Sequence, residues 1–249
     1  MNGEVNLVYV YDGTLEGFLC CIYESYARRQ VPDEIRCEQS QATFFDRTEW
    51  IRTDTAHSDK VYGSLAEKIC LESQDFIRDA FLTRHPEKEI LMYRFIRMGY
   101  RMGRKVMDFL TDDTVNTLTK AVRNLHREAH LLKGFTRFTL YDNVMVACIS
   151  PKNKVLPILA DHFADRYPDE TFLIYDKTNQ MALVHKPEGT LLTSMSDMTL
   201  PPIEDPEKAY RTLWKCFYQT IAIEARENPK CRMTLMPRRF WHNMTEFDL

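Results

Sequence analysis

The chain begins with a strand pattern and then turns helical. Residues 5–11, V-N-L-V-Y-V-Y, are β-rich and predict a first strand. Asp12 then stands as the cap of a helix over about 14–28, with Leu15, Phe18, Leu19, Ile22 and Tyr26 on its buried side. Pro32 closes this unit, and Ile35–Cys37 and Thr48–Arg52 read as two short extended pieces. From about Ser58 to Leu132 the hydrophobic period is helical, in four segments broken near Leu71, Pro86 and Asp112. The third carries an apolar stripe of Leu91, Phe95, Met98, Met102, Val106 and Phe109. The fourth places Val115, Leu118, Val122, Leu125, Ala129 and Leu132 at alternating spacings of three and four, which predicts an amphipathic helix.

The pattern changes at Gly134. Phe135–Leu140 and Val144–Ile149 flank Tyr141-Asp142-Asn143 and predict a β-hairpin. Val155–Arg166 reads as a helix, and Phe172–Tyr175, Met181–His185 and Leu191–Leu192 as further short strands. Residues 200–206, L-P-P-I-E-D-P, form the best linker. Asp205, Pro206 and Glu207 supply a cap, a first-turn proline and a first-turn acid, so a helix starts there. It is expected to run to about Glu227 on Tyr210, Leu213, Trp214, Phe217 and Ile221, with Asn228-Pro229 as its stop. The fold class is α+β, with a helix-rich middle and short strands at the N-terminus and in the C-terminal half. The expected organisation is one compact unit over 1–249, with 1–133 and 134–249 as candidate sub-domains. Strands from the two ends are candidates for a shared sheet.

A length of 249 residues accommodates a sizeable core. No run of about 18 apolar residues occurs, so no membrane span is expected. The first residues lack a basic segment followed by a long apolar one, so no signal peptide is expected. Seven cysteines without a C-x-x-C pair argue against a zinc ribbon or an iron–sulfur cluster and fit free thiols in a reducing cytoplasm. There is no G-x-G-x-x-G and no G-x-x-x-x-G-K-[ST], so no nucleotide cofactor is expected.

Charge adds the sharpest feature. Y-R-F-I-R-M-G-Y-R-M-G-R-K (93–105) sets Arg94, Arg97, Arg101 and Arg104 at spacings of three, four and three, one face of a helix. Lys120, Arg123 and Arg127 repeat the device on the next helix, and Lys133 and Arg137 follow in a strand-like segment. From Arg94 to Thr139 there are ten Lys and Arg against four Asp and Glu, a net of +6 in a chain whose total is -3. A basic island in an acidic chain predicts a polyanionic partner, most simply nucleic-acid phosphate. Arginine suits that role because it bonds phosphate oxygens in pairs.

Other residues invite chemistry. H-R-E-A-H (126–130) puts His126 and His130 four apart on one helix face, but no third ligand is evident and no metal site is expected. Glu128 and His130 are candidates for an acid/base pair, with a satisfied polar network as the plainer reading. In D-H-F-A-D-R (161–166), Asp165 shares a helix face with His162, the arrangement of a general acid/base. Asp176 ends a predicted strand, where catalytic carboxylates and ordinary turn residues both occur. K-G-F-T-R-F (133–138) departs from the RNA-recognition signature at its fourth and fifth positions. A hairpin with Phe138 and Leu140 on one face and Phe135 and Arg137 on the other is expected instead. In the tail, Arg238, Arg239 and Trp241 fit either a clamp for a single strand or a docking anchor. Cys20-Cys21 fit helix packing.

Six stretches, in order, resemble a bacterial family of DNA-metabolism and DNA-repair proteins. They are Y-V-Y-D-G-T-L-E-G-F-L-C-C-I-Y-E-S-Y (9–26), N-L-H-R-E-A-H-L-L-K-G-F-T-R-F (124–138), P-I-L-A-D-H-F-A-D-R-Y (157–167), F-L-I-Y-D (172–176), E-A-R-E-N-P-K (224–230) and M-P-R-R-F-W (236–241). The resemblance covers nearly the whole chain. In that family a related domain is fused ahead of a uracil-DNA-glycosylase-like domain, and members are encoded beside a radical SAM protein of DNA modification or repair. The glycosylase-like half and a three-cysteine radical SAM motif have no counterpart among these residues. The resemblance implies a DNA-related role with a radical SAM partner, and it carries over no catalytic residues. The leading expectation is therefore a DNA-binding accessory protein holding phosphate through Arg94, Arg97, Arg101, Arg104, Arg123, Arg127, Lys133 and Arg137. One alternative is an enzyme acting on a DNA base or glycosidic bond through Glu128, His130, His162 and Asp176. Another is an interaction scaffold whose basic island meets an acidic protein.

Overall fold

The computed structural model describes residues 6–38, 47–200, 202, 205–221 and 228–247. They form an α+β protein with two separate sheets. The chain divides into two compact units, through Asn124 and from Leu125 onward. The sequence suggested Lys133/Gly134 instead, because Gly134 reads as a breaker. The helix runs through it, and the division falls within that helix.

In the first unit, β1 (Leu7–Tyr11) is the centre of a parallel sheet, between β2 (Glu34–Cys37) and β3 (Arg47–Trp50). β1 is apolar almost throughout because a central parallel strand is covered on both faces. α1 (Leu15–Ala27) follows it. Its cap is Thr14, whose Oγ1 accepts from the Gly17 amide at 3.0 Å, and not Asp12 as expected. Asp12 holds the cap in place, accepting from Thr14 N at 2.9 Å and Thr53 Oγ1 at 2.6 Å. α2 (Thr55–Lys68), α3 (Glu72–Leu82), α4 (Lys88–Met102) and the first part of α5 (Asp113–Phe135) complete the unit. Phe18, Leu65, Ile77, Phe95, Ile96 and Leu118 lie at the centre of its core. Gly99 of α4 lies against Ile69, where a Cβ would collide with the Ile69 side chain.

α4 is shorter than its apolar stripe suggests. Gly103, at φ +62°, ends it, and Gly103–Asp108 continues as a 3-10 turn. Met102 and Phe109 are consequently exposed, although Val106 is buried. Asp112 then caps α5, its Oδ1 accepting from the Thr114 and Val115 amides. On α1, Tyr26 is 47% exposed, so the predicted buried stripe stops at Ile22.

In the second unit, β4 (Thr139–Tyr141), β5 (Val144–Ile149), β6 (Phe172–Asp176), β7 (Met181–Lys186) and β8 (Gly189–Ser194) form one sheet in that order. Only β5 and β6 are parallel, and α6 (Leu156–Arg166) is the crossover between them. The hairpin turns on Asp142 and Asn143 alone, both at positive φ, with Tyr141 paired to Val144. Phe135 belongs to α5 and Leu140 is exposed, so the predicted strand face does not form. The idea of one sheet shared by the two ends of the chain is likewise not met.

α7 (Asp205–Thr220) carries Tyr210, Leu213, Trp214 and Phe217 of the predicted apolar face exposed, and Ile221 just after it is exposed too. Much of the predicted linker, and the 222–227 part of the predicted helix, lie outside the described residues. Asn228 and Pro229, expected to stop the helix before them, also start one: Asn228 Oδ1 accepts from Cys231 N at 3.0 Å, opening α8 (Pro229–Leu235). The tail docks on its own unit, with Phe240 and Met244 buried and Trp241 stacked on Phe247 at 4.4 Å. None of the described helices is long and apolar enough to cross a membrane.

Candidate nucleic-acid interface

The second unit contains an open cleft of about 670 Å³. The last turn of α5 brings Lys133 to it, the end of α6 brings Arg166 and Tyr167, and α7 brings Tyr210, Arg211 and Trp214. Its floor is aromatic: Phe138 packs edge-on against Phe163, Tyr167 and Phe172, with centroids 5.5–5.8 Å apart. This cluster fixes the exit of α5 over the sheet and so fixes Lys133 at the rim.

The cations of the cleft are not equivalent. Arg137 is committed internally. Its Nη2 and Nε donate to Glu246 at 2.7 and 3.2 Å, and its Nη1 donates to the Gly134 and Thr136 carbonyls. Burial alone would raise the Glu246 pKa, but hydrogen bonds from Arg137 and Trp214 outweigh it and hold the carboxyl below its ordinary range. Arg211 is also engaged, by Glu207 at 3.0 Å and by Thr139. Lys133 and Arg166 are exposed, and neither has an acidic partner among the described residues. Arg166 lies over the Tyr167 ring at 5.6 Å. His162 senses both: partial burial and then the Lys133 and Arg166 charges lower its pKa, against Asp165.

The arginines of the first unit sort the same way. Arg94 and Arg101 are exposed on α4, two turns apart. Arg97 between them is partly buried, donating to the Tyr93 hydroxyl at 2.7 Å and lying over the Tyr26 ring at 5.8 Å. Arg104 is off the helix, on the 3-10 turn after Gly103, and faces Glu72 at 3.0 Å. The row of four is therefore broken by the end of α4. Arg123 and Arg127 are exposed one turn apart on α5.

Of the residues considered for base chemistry, Glu128 and Asp176 come together and His130 and His162 do not join them. Glu128 is buried and accepts from the Lys152 and Asn153 amides, from Asn153 Nδ2 at 2.7 Å and from Arg239 at 3.0 Å. Asp176 is fully buried and accepts from the Thr178 and Asn179 amides and from Asn179 Nδ2 at 2.6 Å. Asn179 also donates to the Asn153 carbonyl, so the two carboxylates share one network that ties α5 to the loops after β5 and β6. Burial raises the Asp176 pKa, and Glu128 adds to that, against the bonds from Asn179 and Thr178. His130 is exposed, about 200° around α5 from Glu128. His162 lies on α6 beside Phe163, whose ring lines the cleft, and is not itself part of the lining. Among the described residues no cluster of three or more His, Cys, Asp or Glu is arranged to hold a metal ion.

A sequence profile of DUF4130, a domain of unknown function, matches residues 86–246, well over half of the chain. The chain belongs to this family. The DUF4130 segment contains every residue that lines the cleft, together with α4 and its arginines. No curated protein matches the chain. Sequence reasoning found Lys133 but missed Arg166, Tyr167, Tyr210 and Trp214 as its companions. The signal for Trp214 and Tyr210 was present as the apolar face of the helix predicted after Asp205.

Proposed function

We propose that this DUF4130 protein binds DNA, holding a single strand in the cleft of its second unit. One observation carries the reading: Lys133 and Arg166, exposed and without an acidic partner among the described residues, rim a cleft lined by the exposed rings of Tyr210 and Trp214. Cations that track phosphates beside aromatic faces on which bases stack are the two components of sequence-tolerant strand binding. Arg137 and Glu246 are the strut beneath this surface, and they do not contact the strand. Arg127, exposed on the same unit, supplies a further phosphate contact. The resemblance to DNA-metabolism and DNA-repair proteins supports an accessory role beside a radical SAM enzyme.

Stacking is worth about 1–3 kcal/mol per base, so Trp214→Ala is expected to weaken binding of a short oligothymidine about tenfold or more. Fluorescence anisotropy at fixed salt measures this. Unchanged affinity in Trp214→Ala and in Tyr210→Ala would remove the cleft from the binding surface.

A further inference from the structure

The first unit holds a second cavity, of about 350 Å³, within the range of about 300–1,000 Å³ usual for small ligands. Tyr23 and Tyr26 of α1, Lys60, Ser64 and Lys68 of α2 and Tyr100 of α4 form its walls. We propose that it binds a nucleotide, with the base against the tyrosines and the phosphate on Lys60 and Lys68. This site is distinct from the strand-binding cleft and does not depend on it.

The chemistry of the walls selects the ligand. Tyr26 and Tyr100 meet at 5.7 Å and 53°, and His57 stacks on Tyr23 at 3.7 Å and 13°. Tyr100 is fixed by a hydroxyl pair with Ser64 at 2.5 Å. Ser64 Oγ donates to the Val61 carbonyl at 2.7 Å, so Tyr100 is the donor in that pair. These contacts hold the aromatic walls in place, which suits a rigid planar ring. Lys60 and Lys68 are exposed, and no carboxylate lines the cavity. Their ammonium groups lie 5.6 Å from the Tyr23 centroid and 4.9 Å from the Tyr100 centroid. The protein's own cations thus occupy the positions that a cationic guest of an aromatic cage would take, so such a guest is repelled. An aromatic ring bearing an anion satisfies both the tyrosines and the lysines.

A nucleotide reaches this site either free or as the phosphorylated end of a strand. Calorimetry on the whole chain separates these sources, using 5′-AMP and 5′-dTMP, the nucleosides adenosine and thymidine, and a short oligothymidine with and without a 5′-phosphate. Mononucleotides are expected to bind with Kd at or below about 1 mM, and nucleosides about tenfold more weakly. Lys60→Gln/Lys68→Gln brings nucleotides down to nucleoside affinity. Tyr26→Leu weakens both by about tenfold. Tighter binding of the 5′-phosphorylated oligomer than of the mononucleotides, lost in the lysine double variant, assigns the site to strand ends. Unaltered thermal midpoints show that these surface variants fold. Equal affinity for nucleotide and nucleoside, no binding of either, or insensitivity to these substitutions overturns the proposal.

Discussion

At the residue scale, one buried ion pair supports the cleft. Glu246 is only 2% exposed at its side chain and meets Arg137 through two bonds. Breaking a buried pair leaves an uncompensated charge and costs about 3–5 kcal/mol, reduced here because Arg137 is partly open. Glu246→Gln is expected to lower stability by about 2 kcal/mol in urea unfolding. The Glu246 pKa is depressed in the folded state. Its contribution is therefore full above the unfolded value and lost as pH falls through the folded one. Asp176 has the opposite sign: its pKa is raised on folding, so it favours the native state in acid and loses that effect as pH rises through its elevated value. Asp176→Asn should flatten this fall, as equilibrium unfolding across the acid range will show. A steeper fall in the variant would contradict the assignment. The pair was not legible in the sequence: Arg137 and Glu246 are 109 residues apart and no local periodicity links them. A satisfied polar network was the plainer reading of Glu128, and Glu128 lies in one, but its partners in the loops after β5 and β6 were not foreseen.

At the element scale, the helices were the most legible part. α5 carries its apolar positions, Val115 to Leu132, at strict spacing for about five turns, and its first half enters the core of the first unit as that pattern requires. The end of α4 was less legible. The apolar stripe continues past Met102, and only Gly103, with a backbone conformation that L side chains rarely adopt, stops the helix. Gly103→Ala is expected to cost about 1–2 kcal/mol, measured by chemical denaturation. A neutral result would mean that the turn after α4 relaxes freely. α7 is the instructive failure. Its apolar face has the period of a buried helix, yet Tyr210 is 70% and Leu213 65% exposed. Periodicity reports that a face is apolar; it does not report what covers it. Here Tyr210 and Trp214 border the cleft, where bases rather than core residues are the proposed neighbours.

At the scale of the whole molecule, net charge and local charge disagree, and the proposed binding follows local charge. The chain is net negative, which limits non-specific attraction to polyanions, while a basic segment lies within the DUF4130 match. The sequence located that segment correctly, but it counted charges without their partners. Arg104, Arg137 and Arg211 face carboxylates, and Arg97 is partly buried against Tyr93 and Tyr26. The proposed function therefore rests on Lys133 and Arg166, and one measurement tests it most directly. The affinity of a short oligothymidine is followed across a salt series for the wild type and for Lys133→Gln/Arg166→Gln. Each phosphate contact to a single strand contributes about -0.7 to the slope of log K against log salt, so loss of two contacts should make the slope less negative by about 1.4 and weaken binding. An identical slope and affinity in the double variant would contradict the account.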